Sequence, residues 1–250
     1  MSQEESVTSE TAEVPAPPPP APPPRRRGWR RPLLILAAVL AIPLLVPLLL
    51  VPVYAVVNPV STSMLQRYLT GHPVDRHWVG LDEVSDELKT AVVMSEDGQF
   101  CRHHGVDLGA LREEIGVWLD GGTPRGASTI TMQVARNLFL WNDRSFLRKA
   151  FEIPLAVYID LVLPKRRIME IYLNTAQWGP VGEFGIEAGA RRAFGTGADK
   201  LGWERAALMA AALPNPLLRR PENPGPHLRR VARVVEERAR QGARFVTCLQ

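Results

Sequence analysis

Glu96 opens the run Glu96-Asp-Gly-Gln-Phe-Cys-Arg-His-His-Gly105, which puts acidic side chains where an apolar helix should end. A carboxylate there lies beside the negative end of the helix dipole, which opposes ionisation and favours the raised pKa of a general base. Taken singly, such a glutamate is more often a solvated charge at a frayed helix end. A second carboxylate closes the run Arg144-Ser-Phe-Leu-Arg-Lys-Ala-Phe-Glu152, behind the cations Arg144, Arg148 and Lys149. Arg148 and Glu152 stand four apart on one helical face, which suits either a weak intrahelical ion pair or a diphosphate site. Pro154 is expected to kink or restart that helix and so re-aim Glu152. Between these runs, Arg125-Gly-Ala-Ser-Thr-Ile-Thr-Met-Gln133 sets small residues and hydroxyls at a helix start, where free N–H groups can meet an anion. Arg136 adds a cation to the same place, and the plainer reading makes Ser128 and Thr129 caps alone. A fourth run, Lys165-Arg-Arg-Ile-Met-Glu-Ile-Tyr-Leu-Asn174, carries an apolar stripe of Ile168, Ile171 and Tyr172, and its expected role is structural, with Glu170 and Asn174 fixing neighbouring loops.

Helices must position these groups. Helical periodicity covers Ser85–Ser95, Ser128–Leu140, Phe146–Leu163, Lys165–Tyr172 and Trp203–Leu213, and a basic amphipathic segment follows from His227 to Phe245. No alternating run reads as a sheet, so the fold class is mainly α. Residues 1–32 are proline-rich and then basic and read as a disordered cytoplasmic tail, and residues 58–250 as one globular domain. Leu33 to Val57 has no charged residue and is long enough to span about 30 Å of hydrocarbon. Five arginines (25, 26, 27, 30 and 31) precede that run and the next basic residue is Arg67, so the N-terminus should stay cytoplasmic. The run is too long for the core of a cleaved signal peptide. A net charge of +4 fits an acidic partner, and on charge alone nucleic acid, anionic lipid and phosphorylated substrates all remain open. Cys101 and Cys248 show neither zinc-ligand spacing nor a disulfide framework, and a single bridge stays open if the domain faces an oxidising compartment.

In order and spacing the four runs resemble the peptidoglycan glycosyltransferase family, the lysozyme-like domain of bifunctional penicillin-binding proteins and of monofunctional transglycosylases. Glu96, Asp97, Phe100, His103 and Gly105 match its pattern Glu-Asp-x-x-Phe-x-x-His-x-Gly. The other runs resemble Gly-Gly-Ser-Thr-Ile-Thr-Gln-Gln, Arg-Lys-x-x-Glu and Lys-x-x-Ile-Leu-Glu-x-Tyr-Leu-Asn. Ala127, Met132 and Pro154 depart from the family, Met132 by removing an amide suited to sugar or phosphate. The sequence Arg-Gly-Ala-Ser-Thr looks like the monofunctional type, and no Ser-x-x-Lys or Lys-Thr-Gly segment of a transpeptidase appears.

The resemblance implies a lysozyme-like domain behind a single transmembrane helix of the inner membrane, with the catalytic domain periplasmic. It implies inverting transfer of an undecaprenyl-diphosphate-linked glycan onto the GlcNAc 4-hydroxyl of lipid II. Glu96 would be the general base and Glu152 the second catalytic carboxylate. Ser128, Thr129, Gln133, Arg136, Arg144, Arg148 and Lys149 would bind substrate, and Asp97, Phe100, His103 and Gly105 would orient the loop. No tightly bound cofactor is expected, a divalent cation such as Mg or Mn is an option, and the metal question is otherwise open. Expected partners are lipid II, the lipid-linked glycan, membrane lipids and division or elongation proteins, with no nucleic acid. Phe139, Leu140, Trp141, Phe146 and Leu147 flank the basic cluster and suit a surface that dips into lipid. A glycan-cleaving lysozyme-like enzyme and an inactive membrane-anchored scaffold are the rival readings.

Overall fold

Side-chain caps start three of the four helices that carry the runs, and Pro164 opens the fourth without one. Ser85 Oγ accepts from Leu88 N at 3.2 Å, Thr129 Oγ1 from Met132 N at 3.1 Å and Ser145 Oγ from Arg148 N at 3.2 Å, each satisfying a donor left over at a helix N-terminus. The computed structural model describes residues 30–122, 126, 128–141 and 145–250, without the side chains of 30, 31, 36–40, 43, 44, 146 and 243. Most of the expected tail, Arg125, Ala127 and Arg144 therefore lie outside the described residues.

In chain order the helices are α1 (Arg30–Val53), α2 (Thr62–Leu69), α3 (Asp86–Glu96), α4 (Leu108–Leu119) and α5 (Ile130–Phe139). They continue as α6 (Phe146–Val162), α7 (Lys165–Thr175), α8 (Ile186–Phe194), α9 (Trp203–Ala212) and α10 (Pro226–Gln241). Two dipeptide strands, β1 (Asp75–Arg76) and β2 (Glu183–Phe184), pair in parallel with Asp75 opposite Glu183. The chain divides into two units, Met1–Leu40 and Ala41–Gln250. In the first, the described residues belong to the opening turns of α1. Among the described residues no helix is long and apolar enough to cross a membrane.

Within the second unit, α3 packs on α9 and α10, while α5 packs on α6 and α7. The alanines of α9 (Ala206, Ala207, Ala210, Ala211 and Ala212) are all buried and leave room for α3 to bring Leu88, Val92 and Val93 into the core. Burying each such aliphatic side chain is worth about 1.5–3 kcal/mol. In α7, Ile168, Met169, Ile171 and Leu173 are fully buried. Glu170 accepts from Trp78 Nε1 at 3.0 Å, and Asn174 exchanges hydrogen bonds with Val79 N and O, so both hold the loop at residues 78–79.

One expectation changes, and one point that the sequence leaves open is answered. α6 is not restarted at Pro154 but runs unbroken from Phe146 to Val162. The carbonyl that Pro154 leaves without a helical donor belongs to Ala150, and both residues are exposed, so water can satisfy it. Cys101 and Cys248 are joined in a disulfide with Cα atoms 5.6 Å apart, across 147 residues of sequence. A covalent loop of that length restricts the unfolded chain by about 5 kcal/mol in the chain-entropy description.

Candidate active site

Glu96 is the last residue of α3, and its C-cap is Asp97. Its Oε2 accepts from Gln133 Nε2 on α5 at 2.9 Å, and Gln133 Oε1 accepts from the Tyr172 hydroxyl on α7 at 3.2 Å. Burial pushes the Glu96 carboxyl above the usual carboxylate range. The Gln133 hydrogen bond and the charges of Arg136 and Arg219 pull it back, and Asp97 adds a smaller upward push. Sequence reasoning assigned that direction to the helix end, whereas desolvation dominates in the folded chain. Glu96 is nevertheless only half-buried, because it lines a cleft of about 230 Å³ with Asp97, Gly98, Asp107, Ser128 and Thr129. A carboxylate surrounded by protein but open to a cleft can both hold a raised pKa and reach a substrate.

The loop after Glu96 is fastened from several sides. Asp97 is buried and engages His103 Nε2 at 2.9 and 3.0 Å, and its Oδ2 also accepts from Ile130 N at 2.9 Å. Asp97 thus ties the loop to the first turn of α5. Phe100 is fully buried, its ring T-shaped against that of His103 with centroids 6.3 Å apart, and Lys165 Nζ lies 4.5 Å from its centroid. Lys165 donates to the His103 carbonyl at 2.8 Å and pairs with Asp160 at 2.5 Å. Gly105 has φ +83°, and a Cβ there would overlap the Ala156 backbone carbonyl, so only glycine lets the loop pass α6. Its own carbonyl accepts from Thr129 Oγ1 at 2.6 Å.

From α6, Lys149 reaches the cleft lining at Ser128. Glu152 is 2 % exposed and bonds Arg148, which is 8 % exposed, while Lys149 Nζ lies 3.8 Å from the other carboxylate oxygen. Lys149 Nζ also donates to Ser128 Oγ at 2.5 Å, joining this run to the one before α5. Burial, reinforced by the neighbouring charges of Arg148 and Arg136, lowers the Lys149 ammonium to about 8, against an opposing pull from Glu114. Arg136 acts on both Glu96 and Lys149 and so links the two halves electrostatically.

The structure therefore gathers Glu96, Asp97, Gln133 and Arg136 into one neighbourhood, and joins Ser128 to Lys149 at its rim. Thr129 spends its hydroxyl on a cap and on the Gly105 carbonyl. Arg148 and Glu152 occupy each other inside the protein. Met132 is fully buried in a small cluster with Val106 and Ala156, so its departure from the family pattern falls on packing rather than on the cleft. Sequence reasoning missed Tyr172, read only as core, and Arg219, which stands in no periodic run. Burial holds the Tyr172 phenol well above its ordinary range, so it stays a neutral donor to Gln133. Among the described residues no group of three or more His, Cys, Asp or Glu side chains is placed to hold a metal ion. Glu152 is paired with Arg148 and Lys149.

The sequence profile of the family described as Transglycosylase matches residues 62–239. A biosynthetic peptidoglycan transglycosylase of Mesorhizobium japonicum is 52% identical over 224 residues, covering 89% of this chain and 94% of the relative. Proteins of the same description from Nitrobacter hamburgensis (54% over 197 residues, 79% of this chain and 87% of the relative) and Brucella suis biovar 1 (48% over 227 residues, 89% and 100%) are similar to it as well.

Proposed function

The chain belongs to the transglycosylase family and is a peptidoglycan glycosyltransferase of cell wall synthesis, and from that premise we propose that it polymerises lipid II with Glu96 as general base. The observation that carries this reading is a half-buried carboxylate of raised pKa, held by Gln133 in a cleft whose rim bears Lys149.

The acceptor's GlcNAc 4-hydroxyl loses its proton to Glu96 as its oxygen attacks the anomeric carbon of the lipid-linked glycan. The bond from that carbon to diphosphate breaks on the opposite face, so an α-linked donor yields a β-linkage. Charge that develops on the leaving diphosphate is met by Lys149 and Arg136, which a low-dielectric cleft makes effective. Ser128 and Gln133 line the donor side. Glu152 acts through Arg148 and Lys149, which it holds in place. Asp97, Phe100, His103 and Gly105 keep the loop in position. A hydrolase would use carboxylates beside a sugar as well, but it has no need of cations suited to diphosphate.

The pH dependence of kcat/KM for lipid II tests this assignment. Glu96 works when deprotonated, so activity should rise with pH through its raised pKa. Lys149 works when protonated, so activity should fall again as pH passes about 8. Lys149→Arg keeps its charge to higher pH and should move the alkaline limb upward while leaving the acid limb in place. An alkaline limb that stays put would remove Lys149 from the leaving-group role.

Two features of the chain support action at a membrane. Residues 33–57 carry no charge and follow five arginines, which supports an inner-membrane anchor with the N-terminus cytoplasmic and the enzyme domain outside. On α6, Leu147, Phe151, Val157 and Leu161 are exposed at 63%, 41%, 47% and 82%, forming an apolar stripe, and Trp141 is exposed as well. That stripe suits contact with lipid, where the isoprenoid tail of the substrate resides. Replacing Leu147 and Phe151 with Glu in the full chain should raise KM for lipid II about tenfold in vesicles and much less in detergent. Equal KM values in vesicles would count against lipid contact.

A further inference from the structure

We infer that the Cys101–Cys248 disulfide is a positioning device for the Glu96 loop, fastening residues 97–105 to the 3₁₀ turns at residues 243–249 so that full turnover needs the oxidised chain. This inference rests on the reading of Glu96 as the base, and it adds to that reading a covalent constraint five residues away.

The loop has little regular structure of its own to hold it. Its backbone bonds are local turns, Phe100 N to Asp97 O at 3.0 Å and Arg102 N to Gln99 O at 2.8 Å, between the permissive residues Gly98 and Gly105. Cys101 sits at the centre of this segment, between the buried Phe100 and the Asp97 partner His103. On the other side of the bond, Val246 and Leu249 are buried in the core, the Leu249 carbonyl accepts from Arg166, and Arg166 pairs with Asp82 at 2.7 Å. Arg102 lies over the Phe245 ring at 5.1 Å, a second contact between the two segments.

Lys165 and Arg166 are neighbours at the start of α7. Lys165 holds the loop at the His103 carbonyl and Arg166 holds the C-terminal segment at Leu249, so the disulfide closes a ring of contacts around that helix start. Opening the ring removes the covalent tie at Cys101, at the centre of the loop, and leaves non-covalent contacts to hold it: the Asp97 bonds to His103 and Ile130 N, Thr129 on the Gly105 carbonyl, Lys165 on the His103 carbonyl and the buried Phe100. A shift of the loop by a fraction of an ångström moves Glu96 relative to Gln133. Rate depends steeply on such placement.

Both cysteines are half-buried, so thiol reagents and reductants have access. The bond forms by thiol–disulfide exchange with a protein disulfide oxidant. The two thiols give up two electrons and two protons, and the oxidant's disulfide becomes a dithiol. Such oxidants act outside the cytoplasm, on the side proposed for the enzyme domain.

The test compares the full chain oxidised, reduced with dithiothreitol, and as Cys248→Ser, which leaves the sequence of the loop untouched. Lipid II turnover is measured per folded molecule, with the folded fraction taken from circular dichroism. The expected result is a fall in kcat of about three- to tenfold on reduction, with KM changed less than about twofold. The acid limb of the pH profile should move to lower pH, because a loosened Glu96 regains water while Arg136 and Arg219 still favour its charge and Asp97 and Tyr172 remain beside it. Reoxidation should restore the wild-type values, and Cys248→Ser should match the reduced chain and ignore reductant. Equal kcat and an unmoved pH profile in the two redox forms would overturn the inference, as would a chain that simply unfolds on reduction, since the bond would then serve stability alone. Glu96→Gln runs beside these as a control. If that variant is active, the base assignment fails; if it is inactive while the wild type ignores reduction, only the tether fails.

Discussion

Glu96→Gln is expected to lower lipid II polymerisation by about 10²- to 10⁴-fold, the range that loss of a general base accounts for. The amide keeps the size of the side chain and a polar partner for Gln133, so the cleft should stay intact and KM should change little. Stability should move the other way. Because the folded-state pKa of Glu96 lies above its unfolded value, the stability tied to this group is fully present below the unfolded pKa and is lost as pH rises through the folded one. At neutral pH the ionised, desolvated carboxylate therefore costs the folded chain free energy, and glutamine removes that cost. Thermal unfolding of Glu96→Gln should occur at or above the wild-type temperature at pH 7, with the difference vanishing in acid. A variant that is inactive and less stable at neutral pH would instead mark Glu96 as a structural group.

Arg148→Met should destabilise the chain by about 3–5 kcal/mol, because it leaves the Glu152 carboxylate charged in the interior without its closest partner among the described residues. For a domain of this size that corresponds to a fall in Tm of about 10 °C. Replacing both partners, Arg148→Met with Glu152→Leu, should recover much of the loss, since breaking a buried pair is costlier than removing it. Activity should not recover in the double variant, because Glu152 no longer helps to place Lys149 at Ser128. Stability and turnover measured over the whole mutant cycle separate the two roles. Recovery of turnover in the double variant would exclude Glu152 from organising the cations.

Helices whose buried face is built from large aliphatic side chains were legible in the sequence, and those that bury few or small side chains were not. Leu88, Val92 and their neighbours on α3 and the apolar stripe of α7 repeat at helical spacing because the core demands it. α4 offers no such signal. None of its residues is buried, and Leu108, Ile115, Trp118 and Leu119 all stay exposed, so no period marks it. α8 opens at Gly185, with φ +89°, and buries mostly small side chains. Pro154 misled for a local reason: proline is costly inside a helix through a lost hydrogen bond, but that cost is small where the orphaned carbonyl faces water.

Within the candidate site, the motifs brought Glu96, Gln133 and Lys149 into view, while the hydrogen bonds that join them depend on how α3, α5, α6 and α7 pack. Tyr172 looked like core because its ring is core; only its hydroxyl reaches Gln133. Met132 looked like a lost substrate contact because the linear motif does not say which way residue 132 faces. The disulfide joins residues 147 apart in sequence, and their proximity follows only once α10 has returned the chain to the end of α3.

The product formed from lipid II by the purified, oxidised full-length chain tests the central claim most directly, with preformed glycan offered in a parallel reaction. Strands that lengthen with time, joined by β-linkages, with lipid diphosphate released for every bond made, are the expected result. Shortening of the preformed glycan without any strand growth from lipid II would contradict it.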